Sequence, residues 1–104
     1  MLIVATKPRV QRSAQWPALR AKLLRGARCA ACGGRELLEL HHVIPFHVDP
    51  ARELDTGNLL PLCERKRSGI NCHLLVGHLG DYRSWNEHAR TDAAIWLDKF
   101  RSRP

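Results

Sequence analysis

The chain has 104 residues and a formal net charge of +7, from 17 lysines and arginines against 10 aspartates and glutamates. This length predicts a single domain with a modest core, which a metal or another cross-link would help to stabilise. No apolar run is long enough for a signal peptide or a membrane span, so we expect a cytoplasmic protein without a membrane partner, in which cysteines stay reduced. The positive charge favours a nucleic acid as partner; a merely solvated basic surface is the alternative.

The first predicted element is a helix over residues 13–25, which follows a basic arm at residues 1–12. Ser13 is the expected N-cap of this helix and Gly26 its expected stop. One face is apolar, with Trp16, Leu19 and Leu23 at helical spacing. The other face carries three basic residues, Arg20, Lys22 and Arg25. They are candidate contacts to phosphate, although a solvated face is the simpler alternative.

The four cysteines fall into two pairs. Cys29 and Cys32 are two residues apart and are followed by two glycines, which let the backbone turn tightly around thiolates. Cys63 and Cys72 form a wider pair. Because four thiolates complete the tetrahedral shell of zinc, we expect a closed, structural zinc site. A redox Cys-x-x-Cys pair and unpaired buried thiols are the alternatives.

The middle of the chain predicts two strands and a short helix. The strands are expected over residues 37–43 and 59–62, and a long loop over residues 44–57 joins them. The helix is expected over residues 72–79. Between the second strand and the helix, residues 64–71 form a basic segment with three further candidate contacts to a nucleic-acid backbone, Arg65, Lys66 and Arg67.

The last predicted element is a helix with Thr91 as its expected N-cap, after an irregular connection over residues 81–90. Asp92 is favourable in its first turn. Its apolar face carries Ala93, Trp96, Leu97 and Phe100. This face is expected to join the core or to pack against the first helix.

His41 and His42 stand together at the end of the first strand. Successive side chains of a strand point to opposite faces, so the two cannot easily bind one ion. We expect one to hold a metal while the other faces a substrate, since a neutral imidazole serves both as a ligand and as a base near neutral pH. His73 follows Cys72 directly at the start of the predicted helix.

These histidines and their neighbours resemble the HNH endonuclease family. The matching segments are Leu40-His41-His42-Val43-Ile44-Pro45, then Asn58-Leu59-Leu60-Pro61-Leu62-Cys63, and then Cys72-His73. Cys29-Ala30-Ala31-Cys32-Gly33 matches the zinc-containing branch of that family. The resemblance implies an α+β protein: a small ββα-metal core with a structural zinc knuckle and flanking N- and C-terminal helices, in a nuclease domain over residues 13–104.

The resemblance also implies a role for each matched residue. His42 would be the base that activates water, and His41 would bind a catalytic divalent metal, Mg²⁺, Mn²⁺, Ni²⁺ or Zn²⁺. Asn58 would brace the loop and orient the base. His73 would complete the motif as a second metal ligand. His78 is the alternative or additional ligand, but residues five apart lie on different faces of a regular helix, which favours His73.

The function implied is a metal-dependent hydrolysis of phosphodiester bonds in DNA, or in RNA, as a nick or a double-strand cut of low sequence specificity. The products would carry 5′-phosphate and 3′-hydroxyl ends. A larger phage or host assembly is a further candidate partner. The competing hypothesis is a non-catalytic, zinc-stapled nucleic-acid-binding module, which would use the same cysteines and basic surface but would not need His41, His42, Asn58 and His73.

Overall fold

A computed structural model of the chain describes residues 11–65 and 70–102. It contains helix α1 (Trp16–Leu24), strands β1 (Leu38–His42) and β2 (Leu59–Cys63), a wide π-helical turn (His73–Gly77) and helix α2 (Ala89–Arg101). Two 3-10 turns, Pro50–Arg52 and Thr56–Asn58, lie in the loop between the strands. Most of the predicted basic arm and the candidate contacts Lys66 and Arg67 lie outside the described residues. No helix in the described ranges has both the length and the apolar character to cross a membrane.

The two strands form an antiparallel sheet, and the protein is therefore α+β. The register pairs Leu38 with Cys63 at one end and His42 with Leu59 at the other. A cysteine and the adjacent histidines therefore lie at opposite ends of the same hairpin. The carbonyl of Pro61 accepts a hydrogen bond of 2.8 Å from the amide of Ala30, which ties the loop with the first cysteine pair to β2.

Helix α1 packs on β1 with a half-buried face, as its apolar spacing predicts, but it buries no residue completely. The expected N-cap was wrong: Gln15 holds that position, and Ser13 lies in the turn before the helix. There the Ser13 hydroxyl accepts the amide of Gln15 at 3.1 Å, and the Ser13 amide donates to the carboxylate of Glu53 at 2.9 Å. Gly26 follows the helix with a positive φ of 69°, in agreement with its expected role as a stop.

Helix α2 begins at Ala89 and packs on the π-helical turn. Its N-cap position is held by His88, so the expectation of Thr91 there was wrong. Only Ala89 and Ala93 are buried, because small side chains let the helix approach the turn closely. The expectation that Trp96 and Phe100 join the core was wrong: they are 49% and 39% exposed. With exposed side chains of the turn they line an apolar groove of about 460 Å³.

The described core lies between the sheet, the π-helical turn and α2. Its buried members are aliphatic residues and three of the cysteines: Cys29, Ala31, Val43, Leu60, Leu62, Cys63, Cys72, Val76, Ala89 and Ala93. The thiols are thus part of the core, and replacing them with larger or smaller side chains would disturb its packing.

Candidate metal centres

The four cysteine sulfurs form one cluster, within 4.8 Å of one another. The Sγ atoms of Cys32 and Cys63 are 3.8 Å apart, far beyond the length of a disulfide bond. Two sulfurs bound to one zinc at about 2.3 Å with a tetrahedral angle lie about 3.8 Å apart. The spacing therefore fits four ligands of a single zinc ion.

The loop around the first cysteine pair is closed by its own backbone. The amide of Cys29 donates to the carbonyl of Gly34 at 2.7 Å, and the amide of Gly33 donates to the carbonyl of Cys29 at 2.9 Å. Gly33 has a φ of 78°, which a residue with a Cβ adopts at a cost. This tight turn brings Cys32 back toward Cys63 at the end of β2.

The environment of the cluster favours ionisation of Cys29 while Cys72 keeps its proton. A hydrogen bond from the thiol of Cys72 lowers the pKa of Cys29 to about 4. The same hydrogen bond, together with burial, raises the pKa of Cys72. Because zinc binds the thiolate, the buried cluster is a good cation site and a poor place for four protonated thiols. These residues support zinc or another metal at this position.

Three histidines form a second cluster. Nε2 of His73 lies 3.1 Å from Nδ1 of His41 and 3.3 Å from Nε2 of His78. Two nitrogens bound tetrahedrally to one zinc at about 2.05 Å lie about 3.3 Å apart. The three rings meet edge to face, with centroids 4.8–4.9 Å apart. They therefore present their nitrogens to one point rather than stacking.

The π-helical turn is the reason that His73 and His78 meet. On a regular α-helix, residues five apart diverge, which is why the sequence favoured His73 over His78. A π-helical turn closes with bonds from residue i to i+5, so residues five apart lie one turn apart on the same side. The structure therefore places His78 in the cluster beside His73, which is the arrangement of the additional ligand, and the helical argument against His78 does not apply to this turn.

Two of the three rings are oriented by oxygen acceptors. Nδ1 of His78 donates to the carbonyl of Ser84 at 2.7 Å, and Nδ1 of His73 faces Oε1 of Glu64 at 3.4 Å. Since these oxygens accept the proton on Nδ1, each ring turns an unprotonated Nε2 toward the cluster. Metal-binding histidines are usually held in this way.

His41 is the most enclosed member, with 3% of its surface exposed. Burial, followed by the nearby His73 and His78, lowers its pKa to about 3, so the ring is neutral at physiological pH and available as a ligand. Its Nε2 is buried without a hydrogen-bond partner. A Cβ on Gly77 would lie 3.1 Å from this ring, so glycine is what lets the turn approach His41.

His42 lies apart from the cluster but lines the same cavity, which has a volume of about 510 Å³. Its Nε2–H donates to the carbonyl of Glu53 at 3.0 Å, and its ring stacks on Trp16 with centroids 4.6 Å apart. The proton on Nε2 leaves Nδ1 as the basic nitrogen. Burial lowers the pKa of His42, which keeps the ring neutral. This arrangement suits a general base.

Asn58 is buried and holds the chain that follows β1. Its Oδ1 accepts the amide of Ile44 at 2.8 Å, and its Nδ2 donates to the carbonyl of Ile44 at 3.1 Å. Its own carbonyl accepts the amide of Val43 at 2.8 Å. Asn58 is not among the side chains that line the histidine cavity. Its Nδ2 also donates to the carbonyl of Arg52 at 3.5 Å, next to Glu53. Asn58 therefore links the chain after β1 to the loop whose Glu53 carbonyl accepts from His42.

The candidate phosphate contacts on α1 differ in their position. Arg20 lines the histidine cavity and pairs with Glu39 at 3.1 Å. Lys22 and Arg25 are exposed elsewhere on the helix.

Arg65 lies close to the cysteine cluster instead. A Cβ placed on Gly34 would lie 2.9 Å from Nη2 of Arg65 and 3.4 Å from Sγ of Cys32, so the guanidinium and this sulfur are close to the same point. Its Nε is buried without a partner. A guanidinium in this position would offset the negative charge of the thiolates if a metal were bound there.

Sequence reasoning missed the residues that orient the histidines. Glu53 and Ser84 act through backbone carbonyls, for which no side-chain pattern exists. Glu64 and Tyr82 come together only in the fold, where the Tyr82 hydroxyl donates to Oε1 of Glu64 at 2.8 Å. The one signal in the sequence for these residues is that Glu64 directly follows Cys63, a predicted metal ligand.

Comparison of the chain with protein-family models, with curated proteins and with solved structures returned no match. The functional argument therefore depends on the geometry of these two centres.

Proposed function

We propose that this protein is a metal-dependent endonuclease of the HNH type, which hydrolyses phosphodiester bonds in DNA with little sequence preference of its own. One observation carries the proposal. Three histidine nitrogens converge at spacings that suit one metal ion, and a fourth histidine with a free Nδ1 lines the same cavity. The net charge of +7 supports a polyanionic substrate.

The residues divide between a metal-binding role and a proton-transfer role. His41, His73 and His78 would hold a divalent ion, Mg²⁺, Mn²⁺, Ni²⁺ or Zn²⁺, through one nitrogen each. Imidazole ligands suit Zn²⁺ and Ni²⁺ better than Mg²⁺. When bound, the ion supplies positive charge to the phosphate and to the leaving oxygen. The cysteine centre has no such open position and would hold the fold.

His42 takes a proton from water onto Nδ1 as the water oxygen attacks phosphorus. The bond between phosphorus and the 3′ oxygen breaks, and the 3′ oxygen leaves as a hydroxyl after it takes up a proton from solvent. The products carry a 5′-phosphate and a 3′-hydroxyl. The Glu53 carbonyl keeps the proton on Nε2, so the basic nitrogen is always Nδ1. A base in this position contributes about 10²–10⁴-fold to the rate.

The proposal is tested with supercoiled plasmid, with and without Mg²⁺, Mn²⁺ or Ni²⁺, and with EDTA added. Wild-type protein is expected to nick or linearise the plasmid with a metal and to leave it intact with EDTA. His42→Ala is expected to lose at least 100-fold in rate. His88→Ala is the matched control, because the His88 side chain is exposed, pairs with the neighbouring Glu87 and does not line the histidine cavity.

Two outcomes would overturn parts of this proposal. Equal cutting by His42→Ala and wild type would remove His42 as the base. Plasmid binding without cutting under any metal would favour the zinc-stapled nucleic-acid-binding module. Zinc content is measured in each sample, so that loss of the cysteine-bound metal is not mistaken for loss of catalysis.

A further inference from the structure

The six aromatic residues of the chain all lie in the described ranges, and their distribution is unusual. Phe, Tyr and Trp side chains commonly dominate a core, yet none of the six is buried here. Four of them line the histidine cavity: Trp16, Phe46, Tyr82 and Trp85. Three arginines line it as well: Arg12, Arg20 and Arg83. Most of the aromatic rings therefore lie at an open cavity, together with three arginines.

The Tyr82 ring lies directly beside the candidate metal ligands. Its centroid is 5.1 Å from that of His78 and 5.8 Å from that of His73. Its hydroxyl donates to Glu64 and accepts from Nδ2 of Asn71 at 3.3 Å, so one end of the ring is anchored. The residue is nevertheless 50% exposed. An anchored and exposed ring is a platform on which a flat ligand can stack.

On the His42 side of the cavity, Arg12 rests against two further rings. Its guanidinium carbon lies 5.2 Å from the centroid of Trp16 and 4.7 Å from that of Phe46. These contacts, together with Oε2 of Glu53 at 4.0 Å from Nη1, hold the cation at the cavity while its side chain remains nearly half exposed. The Arg12 guanidinium could bind the backbone phosphate next to the one that is hydrolysed.

We propose that this cavity binds an unpaired nucleotide, whose base stacks on Tyr82 while its backbone runs past the histidines toward Arg12. The preferred substrate is then single-stranded DNA, or a single-stranded portion of a branched DNA. In a duplex the faces of the bases are covered by their neighbours, so aromatic side chains gain stacking contacts only with unpaired bases. This inference depends on the proposed function, because it names the form of DNA that the same site takes.

The test measures binding of an oligothymidylate that carries one 2-aminopurine, as a single strand and as a matched duplex. The zinc-loaded full chain with His42→Ala is used, so that the DNA stays intact. We expect the single strand to bind about tenfold more tightly than the duplex, with quenching of the 2-aminopurine fluorescence, as one stacked base would give.

Substitutions of Tyr82 identify the platform. Tyr82→Leu should weaken single-strand binding about tenfold, with little effect on the duplex. Tyr82→Phe keeps the ring and loses only its hydroxyl bonds, so it should retain the preference for the single strand. Phe100→Leu is the matched control, because Phe100 is an exposed ring in the apolar groove, away from the histidine cavity.

The outcomes separate this inference from the proposed function. Equal affinity for single strand and duplex, or full single-strand affinity in Tyr82→Leu, would overturn the stacking site even if wild type cuts plasmid. Selective single-strand binding by a wild-type protein that cuts neither form would overturn the endonuclease and leave the stacking site in place. Preferential cutting of single strands by wild type supports both.

Discussion

The cysteine centre and the histidine centre are similar in spacing but differ in their surroundings. Three of the four cysteines are at most 1% exposed and belong to the packed core, whereas His73 and His78 are half-buried beside an open cavity. A closed shell of thiolates has no place for a substrate, while three imidazoles leave further coordination positions open. The comparison teaches that one small fold can hold a buried cluster of ligand residues and an open one. The π-helical turn links them, because Cys72 lies directly before it and His78 directly after it.

The largest effect is expected from Cys63→Ser, which removes a fully buried ligand. In a domain of this size, metal binding is a large part of the folding free energy, so the variant should lose its zinc and its cooperative thermal transition. Circular dichroism with zinc analysis measures both. A wild-type melting curve for Cys63→Ser would show that the cysteine centre is not structural. The expected difference in role between the two centres would then be wrong.

The second effect is expected from His73→Ala and His78→Ala, made separately. Each should abolish binding of one Co²⁺ ion to protein whose cysteine centre is already filled with zinc, because two nitrogens hold an ion poorly. The fold should survive, since neither residue is in the core. Titration of Co²⁺ by its visible absorption measures the loss, and thermal melting provides the control. If only one of the two variants lost Co²⁺, the shared role of the π-helical turn would be contradicted.

A smaller effect is expected from Glu64→Gln. The amide cannot hold the proton of His73 Nδ1 as a carboxylate does, so Co²⁺ affinity at the histidine centre should fall about tenfold. Glu87→Gln is the matched control, because Glu87 faces His88, which belongs to neither centre. Unchanged Co²⁺ affinity in Glu64→Gln, or an equal fall in both variants, would remove Glu64 as a positioning residue.

The smallest effect is expected from Arg25→Gln, at the exposed residue that directly follows α1. It should leave both centres loaded and weaken DNA binding slightly at every sequence, with the salt dependence reduced by about one charge. Fluorescence anisotropy over a series of salt concentrations measures this slope. A change in metal content of either centre in this variant would show that the surface and the centres are not independent.

Much of the fold could be predicted from the sequence. Period-two and helical spacings predicted β1 and β2 to within one residue at each end, and both long helices to within a few residues. The spacing of Cys29 and Cys32 predicted the cluster that the structure contains. These patterns are local: a strand, a helix or a knuckle depends mainly on residues close together in the chain.

The errors arose where distant segments decide the outcome. Helix α2 packs against the core through small residues, Ala89 and Ala93. Trp96 belongs to its predicted apolar face, but the Trp96 ring remains exposed. Likewise, the hydrogen-bond acceptor for His42 is a backbone carbonyl 11 residues away, which a pattern of side chains cannot predict.

The sequence alone determined that the chain carries two sets of metal-ligand residue types, because cysteine and histidine donate to metals whatever fold presents them. It also determined the basic charge. Only the tertiary structure decided which residues share a centre. The antiparallel register brings Cys63 to one end of the hairpin and leaves His41 at the other. The π-helical turn, with Gly77 packed against His41, then brings His73 and His78 to the same side, because its bonds span five residues rather than four.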